Sequence, residues 1–165
     1  DLNKGIDLHP ASQEDAQTML NELKWYLTNN GKESVYLLRE ELQQSMTDNA
    51  GVYREAKLLK KQLDIIEDLK RRFKNIRIED KSAIFNTELQ EAIEMGHMLD
   101  YSKFIVEGAL RREESRGAHF REDFAIRDDE KFLNHTMAYM DTDGHITQEP
   151  MAVTLGKFEV KERTY

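Results

Sequence analysis

The feature that most constrains this chain is a long, uninterrupted helical repeat of apolar residues between residues 86 and 112. Asn86 or Thr87 can cap its start, and the repeat continues to about Arg112. A helix of this length is about 40 Å long. Apolar residues cover more than half of its circumference, so neighbouring elements are expected to cover it on several sides. These residues are Leu89, Ala92, Ile93, Met95, Met98, Leu99, Phe104, Ile105, Val106 and Leu110.

Three shorter amphipathic segments precede this helix. Ser12, followed by acidic residues, predicts a helix start, and the apolar repeat after it ends at Asn29-Asn-Gly31. The next two helices are expected at about residues 34–47 and 53–74, with a break at Asp48-Asn-Ala-Gly51. Glycine and proline, eight and two of 165 residues, are scarce and offer few other breaks. The pattern predicts a mostly α fold, with an antiparallel helical bundle over residues 1–112.

The remaining third of the chain, residues 113–165, has a different texture. Its first part is crowded with charge, and an alternating pattern follows from Phe132. Asp141-Thr-Asp-Gly144 is typical of a hairpin turn, so a β-hairpin and an extended tail are expected. This arm is too polar to form a core alone, and we expect it to pack on something larger.

Composition and charge exclude several functions. The chain has no cysteine, which excludes disulfide scaffolds, thiolate metal sites and cysteine nucleophiles. Its net charge of −8 is a poor match for phosphate backbones, so no nucleic-acid partner is expected. No apolar run is long enough to span a membrane. The eight glycines are too widely spaced to form a dinucleotide fingerprint or a phosphate-binding loop.

Three local patterns have simpler structural interpretations than their catalytic or metal-binding ones. The segment 141–146 lacks the first and last ligands of a calcium loop and is interpreted as a turn. Glu94 and His97 have di-iron spacing without a second copy, so a packed, hydrogen-bonded His97 is favoured. Ser115, His119 and Asp123 are the residue types of a hydrolytic triad, but no nucleophile elbow presents the serine.

One stretch, residues 111–121, is harder to explain as a solvated loop. It places four arginines and a histidine among or near three carboxylates. Arg116 and Arg121 carry fixed planar donors on either side of Gly117, which permits a sharp bend. Such a pattern is typical of a charge-paired docking surface.

This stretch resembles the signature of the flavoprotein subunit of fumarate reductase and succinate dehydrogenase. Glu114-Ser-Arg-Gly-Ala-His119, with Arg121 and Asp123, matches the run E-S-R-G-A-H-x-R-x-D of that family. The resemblance runs from about Ser34 to the end, although the family's Pro-Pro near its ending is Glu159-Val160 here. The other matching segments are residues 72–78, 85–89, 94–97, 127–129, 132–136 and 163–165.

The resemblance implies a C-terminal helical domain: an antiparallel three-helix bundle similar to a spectrin repeat, with a trailing arm. In the parent subunit FAD would interconvert succinate and fumarate in preceding domains, where the dicarboxylate also binds. Partners would be the FAD-binding domain, an iron–sulfur subunit and membrane anchor subunits, at the cytoplasmic face of the inner membrane. The fragment itself is expected to be inactive, with no cofactor. Its domain-docking residues would be Glu114, Ser115, Arg116, His119, Arg121, Asp123 and Arg163.

Two alternatives stay open at this point. The C-terminal domain of L-aspartate oxidase shares the Glu-Ser-Arg-Gly run, although the segment 132–136 and its hairpin favour the respiratory enzymes. A stand-alone helical protein-interaction module would instead be compact throughout, with no arm that needs another surface.

Overall fold

The computed structural model describes residues 12–157 and 159–161. Within these residues, five α-helices and six short strands follow one another, with a single 3₁₀ turn at Glu122–Phe124. The helices are α1 Gln13–Thr28, α2 Val35–Ala50, α3 Ala56–Phe73, α4 Thr87–Arg111 and α5 Asp129–Phe132. The strands are β1 Glu33–Ser34, β2 Tyr53–Arg54, β3 Ile76–Arg77, β4 Phe120–Arg121, β5 Asn134–Met140 and β6 Ile146–Ala152.

Helices α2, α3 and α4 form the predicted antiparallel three-helix bundle. Strand β1 pairs with β3, which places the start of α2 beside the end of α3. Strand β2 pairs with β4, which places the start of α3 beside the end of α4. The apolar core between the three helices includes Leu38, Leu42, Leu59, Ile66, Leu69, Met95, Leu99 and Val106. The mostly helical fold with a hairpin-containing C-terminal arm is confirmed.

The first helix differs from its predicted role, because it lies outside this bundle. Its start is as expected, with the Ser12 hydroxyl accepting from the Asp15 backbone N–H and the Asp15 carboxylate accepting in return. Yet the first part of its apolar stripe is uncovered, and Met19 and Leu20 are 67% and 58% exposed, whereas Leu27 near its end packs against the core. The reason is geometric: α2, α3 and α4 already enclose the core, so α1 can only lie on their outer surface.

One aromatic cluster attaches α1 to the bundle. Tyr26 is buried, and its ring meets those of Trp25 and Phe73 at centroid distances of 4.8 and 6.3 Å. A glycine makes this approach possible, since a Cβ at Gly96 would lie 3.2 Å from the Tyr26 hydroxyl. The attachment therefore depends on a residue without a side chain in the middle of α4.

The predicted hairpin is formed by β5 and β6, which pair from Asn134 with Ala152 to Met140 with Ile146. In its turn the Asp141 carboxylate accepts from the backbone N–H of Asp143 and His145, which confirms the predicted turn. Lys103 on α4 donates to the Gly144 carbonyl at 2.8 Å, so the turn is tied to the bundle. The division into domains at residue 112 stays a prediction.

No helix in the described part of the chain is long and apolar enough to cross a membrane.

Candidate functional site: the charged junction

The chain leaves α4 and folds back over the end of the bundle at a cluster of charged side chains that we call the charged junction. It consists of Arg54, Arg112, Glu114, Ser115, Arg116, His119, Arg121 and Asp123. Six of the seven predicted docking residues lie here, brought together by the β2–β4 pairing and the turn at Gly117. The seventh, Arg163, lies outside the described residues. The docking role of all seven stays a prediction.

Arg121 is fully buried at the C-terminal end of α4. Its guanidinium donates to the carbonyl oxygens of Ala109 and Leu110 at 2.8 and 3.0 Å. Such carbonyls lack partners within their own helix and carry the negative end of its dipole. The same guanidinium lies 4.9 Å from the centre of the Phe124 ring. Arg121 therefore caps α4 with a buried cation.

Asp123 extends this contact to a second helix. Its two oxygens accept from Arg121 at 2.7 and 2.8 Å, and one of them also accepts from the Ala56 backbone N–H at 2.9 Å. Ala56 is the first residue of α3, where the helix dipole favours an anion. The hydrogen bonds from Arg121 and from the Ala56 backbone hold the pKa of Asp123 at about 2. One ion pair thus joins the end of α4 to the start of α3.

Glu114 is the second fully buried charge of the junction. Its carboxylate accepts from Arg112 at 2.6 Å, from Arg116 at 2.8 and 3.0 Å, and from the Asp128 backbone N–H at 2.8 Å. Burial alone would raise the pKa of this carboxyl, but the hydrogen bonds from Arg116, Asp128 and Arg112 outweigh it and lower the pKa. Glu114 is therefore held as a carboxylate inside the protein.

The ion pairs continue from Glu114 toward the surface. Arg116, with about a quarter of its side chain exposed, also donates to Asp129 at 2.7 Å. Asp129 also accepts from Nε and Nη2 of Arg127, each at 2.7 Å, and Nη1 of Arg127 donates to the Lys161 carbonyl at 2.9 Å. An alternating row of charges therefore connects the buried junction to the tail.

His119 links the junction to the end of α2. Its Nε2 lies 3.0 Å from the Arg112 carbonyl oxygen, so this nitrogen donates, and Nδ1 accepts from Arg54 at 3.1 Å. Arg54 also donates to the carbonyls of Ala50 and Gly51 at the end of α2. Burial, together with the neighbouring charges of Arg54, Arg121 and Arg112, lowers the pKa of His119. The imidazole is therefore neutral.

The Ser115 hydroxyl stabilises the turn and does not form a triad with His119 and Asp123. Its hydroxyl accepts from the Arg121 backbone N–H at 2.9 Å and donates to the Phe124 carbonyl at 2.9 Å. Asp123 is bound by Arg121 and His119 by Arg54, so the three side chains have separate partners.

His97 on α4 is exposed, so the prediction that it is packed is wrong. Across residues 12–157 and 159–161, no three His, Asp or Glu side chains are grouped to hold a metal ion.

Two contributors to the junction were absent from the predicted set of docking residues. Arg112 donates to the carbonyls of Phe132 and Asn134 at 2.9 and 2.8 Å and so ties the hairpin to the end of α4. A cation in the last turn of a long helix is a signal that could have identified it. For Arg54 no local signal exists, because it reaches His119 only through the β2–β4 pairing.

Beside the junction lies an open groove lined by Glu113 and residues 123–132. Its wall carries two exposed apolar side chains, Ile126 at 82% and Phe124 at 36%. The groove is the part of this region that is open to another surface, whereas Glu114 and Arg121 are enclosed.

Comparison with known proteins gives consistent results. The family described as Fumarate reductase flavoprotein C-term matches residues 39–165. The fumarate reductase flavoprotein subunit of Mycobacterium tuberculosis is 40% identical over 157 residues, which cover 94% of this chain and 27% of that protein. The succinate dehydrogenase flavoprotein subunit of Rickettsia bellii is 34% identical over 146 residues, 88% of this chain and 24% of that protein.

The fold agrees with the same group. A solved structure of a mutant Escherichia coli quinol fumarate reductase superposes with a TM-score of 0.89 at 34% identity, covering 98% of this chain and 28% of that one. The chain thus spans about a quarter of the length of the relatives it matches. Neither an L-aspartate oxidase domain nor a stand-alone interaction module is favoured by these matches.

Proposed function

Because this chain belongs to the fumarate reductase flavoprotein C-terminal family, as its motifs predicted, we propose that it supports the flavin-binding part of a succinate–fumarate oxidoreductase subunit. The observation that carries this proposal is the family match over residues 39–165, which includes the whole charged junction. The parent subunit would exchange a hydride between FAD and the central carbons of the dicarboxylate. This chain would supply a rigid surface and no reacting group.

The wider assembly follows from the same relationship. Solved structures similar to this chain include a quinol fumarate reductase with menaquinol molecules and an Sdh1 complex of Mycobacterium smegmatis. The parent of this chain would accordingly pass electrons to an iron–sulfur subunit and membrane anchor subunits. It would lie at the cytoplasmic face of the inner membrane, attached through those partners.

The start of α4 does not offer the kind of site that binds the pyrophosphate of FAD. Binding its pyrophosphate at the start of a helix needs closely spaced glycines that let the backbone approach. The long helix α4 begins with Asn86, Thr87 and Glu88, and Glu88 is acidic and bonded to the preceding loop. FAD and the dicarboxylate would therefore bind in the rest of the parent, and we assign no catalytic residue here.

The charged junction would act by shaping the docking surface. The Arg121–Asp123 pair holds the end of α4 against the start of α3, and Glu114 binds Arg112, Arg116 and the backbone of the arm. Because Glu114 and Arg121 are fully buried, they would position the surface without touching the flavin domain. Arg116 and the groove of residues 123–132 are open beside them, and would make the contact. Ser115, His119 and Arg163 remain part of the proposed docking set, the first two as supports of the turn.

Substitution of Arg116 by Ala in the full-length subunit tests the proposal. It removes the two hydrogen bonds that Arg116 donates to Glu114 and one partner of Asp129, so we expect the groove to lose its shape while α2–α4 stay packed. We expect the variant to be helical but to hold at most half as much flavin as the unsubstituted subunit and to oxidise succinate correspondingly more slowly. Flavin absorbance per protein and succinate turnover measure both effects.

The matched control is Arg71→Ala. Arg71 is 73% exposed on α3 and forms its ion pair with Asp68, one turn away on the same helix, so its loss should leave flavin content and turnover unchanged. An Arg116→Ala subunit that folds, loads flavin and turns over like the parent would rule out a supporting role for the junction.

A further inference from the structure

The loop between β3 and α4 presents two large apolar side chains to water at the end of the bundle opposite the charged junction. We call residues 79–86 the Phe85 loop. Ile84 is 74% exposed and Phe85 is 98% exposed, the highest value among the large apolar side chains of the described chain. Phe85 also has a φ of +54°, in the left-handed region, which costs a residue with a side chain about 1 kcal/mol.

Two polar side chains, Asn86 of this loop and Glu88 of α4, hold its backbone. Glu88 accepts from the backbone N–H groups of Glu79 and Asp80, each at 2.8 Å. Asn86 donates to the carbonyls of Asp80 and Ser82 at 2.7 and 2.9 Å, and accepts from the backbone of α4. The conformation of Phe85 is therefore imposed by its neighbours.

This arrangement is the reverse of what a solvated loop needs. Glycine or asparagine at position 85 would adopt the left-handed conformation at lower cost, and a polar residue there would avoid exposing a ring. A fixed loop that presents an aromatic side chain matches instead the anchors of protein interfaces, where little ordering entropy is lost on binding.

The charge around the tip indicates the chemistry of the surface that would receive it. Residues 77–91 carry four carboxylates, Glu79, Asp80, Glu88 and Glu91, against two cations, Arg77 and Lys81, so this end of the chain is acidic, although Arg77 pairs with Glu79 at 2.9 Å. The Lys81 ammonium is turned back to the Asn29 carbonyl at 3.1 Å. The complementary surface is an apolar pocket with lysine or arginine at its rim.

The location separates this tip from the proposed flavin-domain contact. The loop precedes the first residue of α4 and the charged junction follows its last, so the 25-residue helix keeps them about 37 Å apart. A second copy of this chain is a poor receiver, since it carries a net charge of −8.

We propose that Ile84 and Phe85 anchor this domain in an apolar, lysine- or arginine-rimmed pocket on another subunit of its complex. The inference rests on the proposed function, because that function supplies the complex, and it adds a second interface at the opposite end of the bundle.

The test is a photo-crosslink in the purified complex that contains the full-length protein. With p-benzoylphenylalanine in place of Phe85, illumination should join the protein to a different subunit, at a peptide with lysine or arginine near the joined residue. The matched control is the same replacement at Tyr101, which is 70% exposed on α4 and should give no such product. A crosslink within the same chain, a crosslink to a second copy, or no crosslink would each overturn the proposal.

A second variant separates binding from folding. Phe85→Gly removes the ring and also removes the cost of a side chain in the left-handed conformation, so the variant should be at least as stable as the unsubstituted subunit. Its affinity for the other subunit should nevertheless fall about tenfold or more, and its flavin content should not change. Unchanged affinity would overturn the proposal. If Phe85→Gly loses the partner while Arg116→Ala retains flavin, the anchor stands and the proposed support of the flavin domain fails.

Discussion

At the scale of single residues, the charges that carry the family resemblance are used inside the molecule. Glu114 and Arg121 are both fully buried, which is costly for an ion unless its hydrogen-bonding capacity is filled. Each has several partners, two arginines and a backbone N–H for Glu114, helix carbonyls and Asp123 for Arg121. Their charge is therefore directed at α3, α4 and the arm, and the exposed neighbours remain for contact with another domain.

We expect His119 to make the stability of the chain depend on pH below about 6.5, the usual pKa of histidine. Burial and the adjacent arginines lower its pKa in the folded state below its usual value of 6.5, so the unfolded chain binds the proton more tightly. The stabilisation is complete above about pH 6.5 and is lost as the pH falls through the folded pKa. We expect the free energy of unfolding to fall in this window, by at most about 1.4 kcal/mol per pH unit from this group.

Urea unfolding at several pH values, with His119→Gln for comparison, checks this prediction. Glutamine offers one donor and one acceptor without titrating, so the pH dependence of the variant should be shallower. The carboxyls of Glu114 and Asp123, whose pKa values are lowered, change the free energy of unfolding only at more acidic pH. An equal slope in both proteins would show that His119 does not titrate in this window.

At the scale of elements, two very short parallel strand pairs close the two ends of the bundle. The β1–β3 pair joins the start of α2 to the end of α3, and the β2–β4 pair joins the start of α3 to the arm. The first pair leaves no room at Gly31, where a Cβ would lie 1.7 Å from the Asn75 carbonyl oxygen. A missing side chain therefore permits this closure.

Substitution of Gly31 by Ala is expected to destabilise the chain by about 3 kcal/mol, because the backbone of β3 must move away. Gly108 is the matched control, because it lies inside α4 where an added Cβ would meet no neighbouring atom within 4 Å. Gly108→Ala should stabilise by about 1 kcal/mol through helix propensity. Thermal or urea unfolding measures both, and a Gly31→Ala protein as stable as the parent would contradict the closure described here.

At the scale of the whole molecule, three parts of the described chain differ in how closely they are packed. The α2–α4 core is fully packed, the hairpin is tied to α4 by Lys103 and Arg111, and α1 is attached mainly through its last turns. All residues of α1 from Gln13 to Trp25 are exposed. Local opening should therefore cost least in α1 and most in the core.

Amide hydrogen exchange of the chain, followed by mass spectrometry, should reproduce this order. Peptides from the first three turns of α1 should exchange at least tenfold faster than those from the middle of α3 and α4. Peptides from β5 and β6 should fall between them. Protection of α1 equal to that of α3 would mean that its apolar stripe is covered in solution.

The accuracy of the sequence-based predictions followed the range of the interactions involved. The start of α4 at Asn86, the hairpin turn at Asp141 and the capping box at Ser12 each depend on neighbours within a few residues, and they were predicted correctly. The position of α1 was predicted less well, because an apolar stripe indicates that a face can be covered without identifying what covers it. The prediction that the His97 side chain is packed was wrong for the same reason.

The sequence by itself determined the helical class, the position of the hairpin and, through an uncommon run of charged residues, the family. Only the tertiary structure decided that Glu114 and Arg121 are enclosed, that Arg54 and Arg112 join them, and that Phe85 stands exposed at the opposite end. The physical reason is that helix periodicity and turn chemistry are local, whereas the charged junction depends on contacts between distant parts of the chain, such as the one between Ala56 and Asp123, which are 67 residues apart.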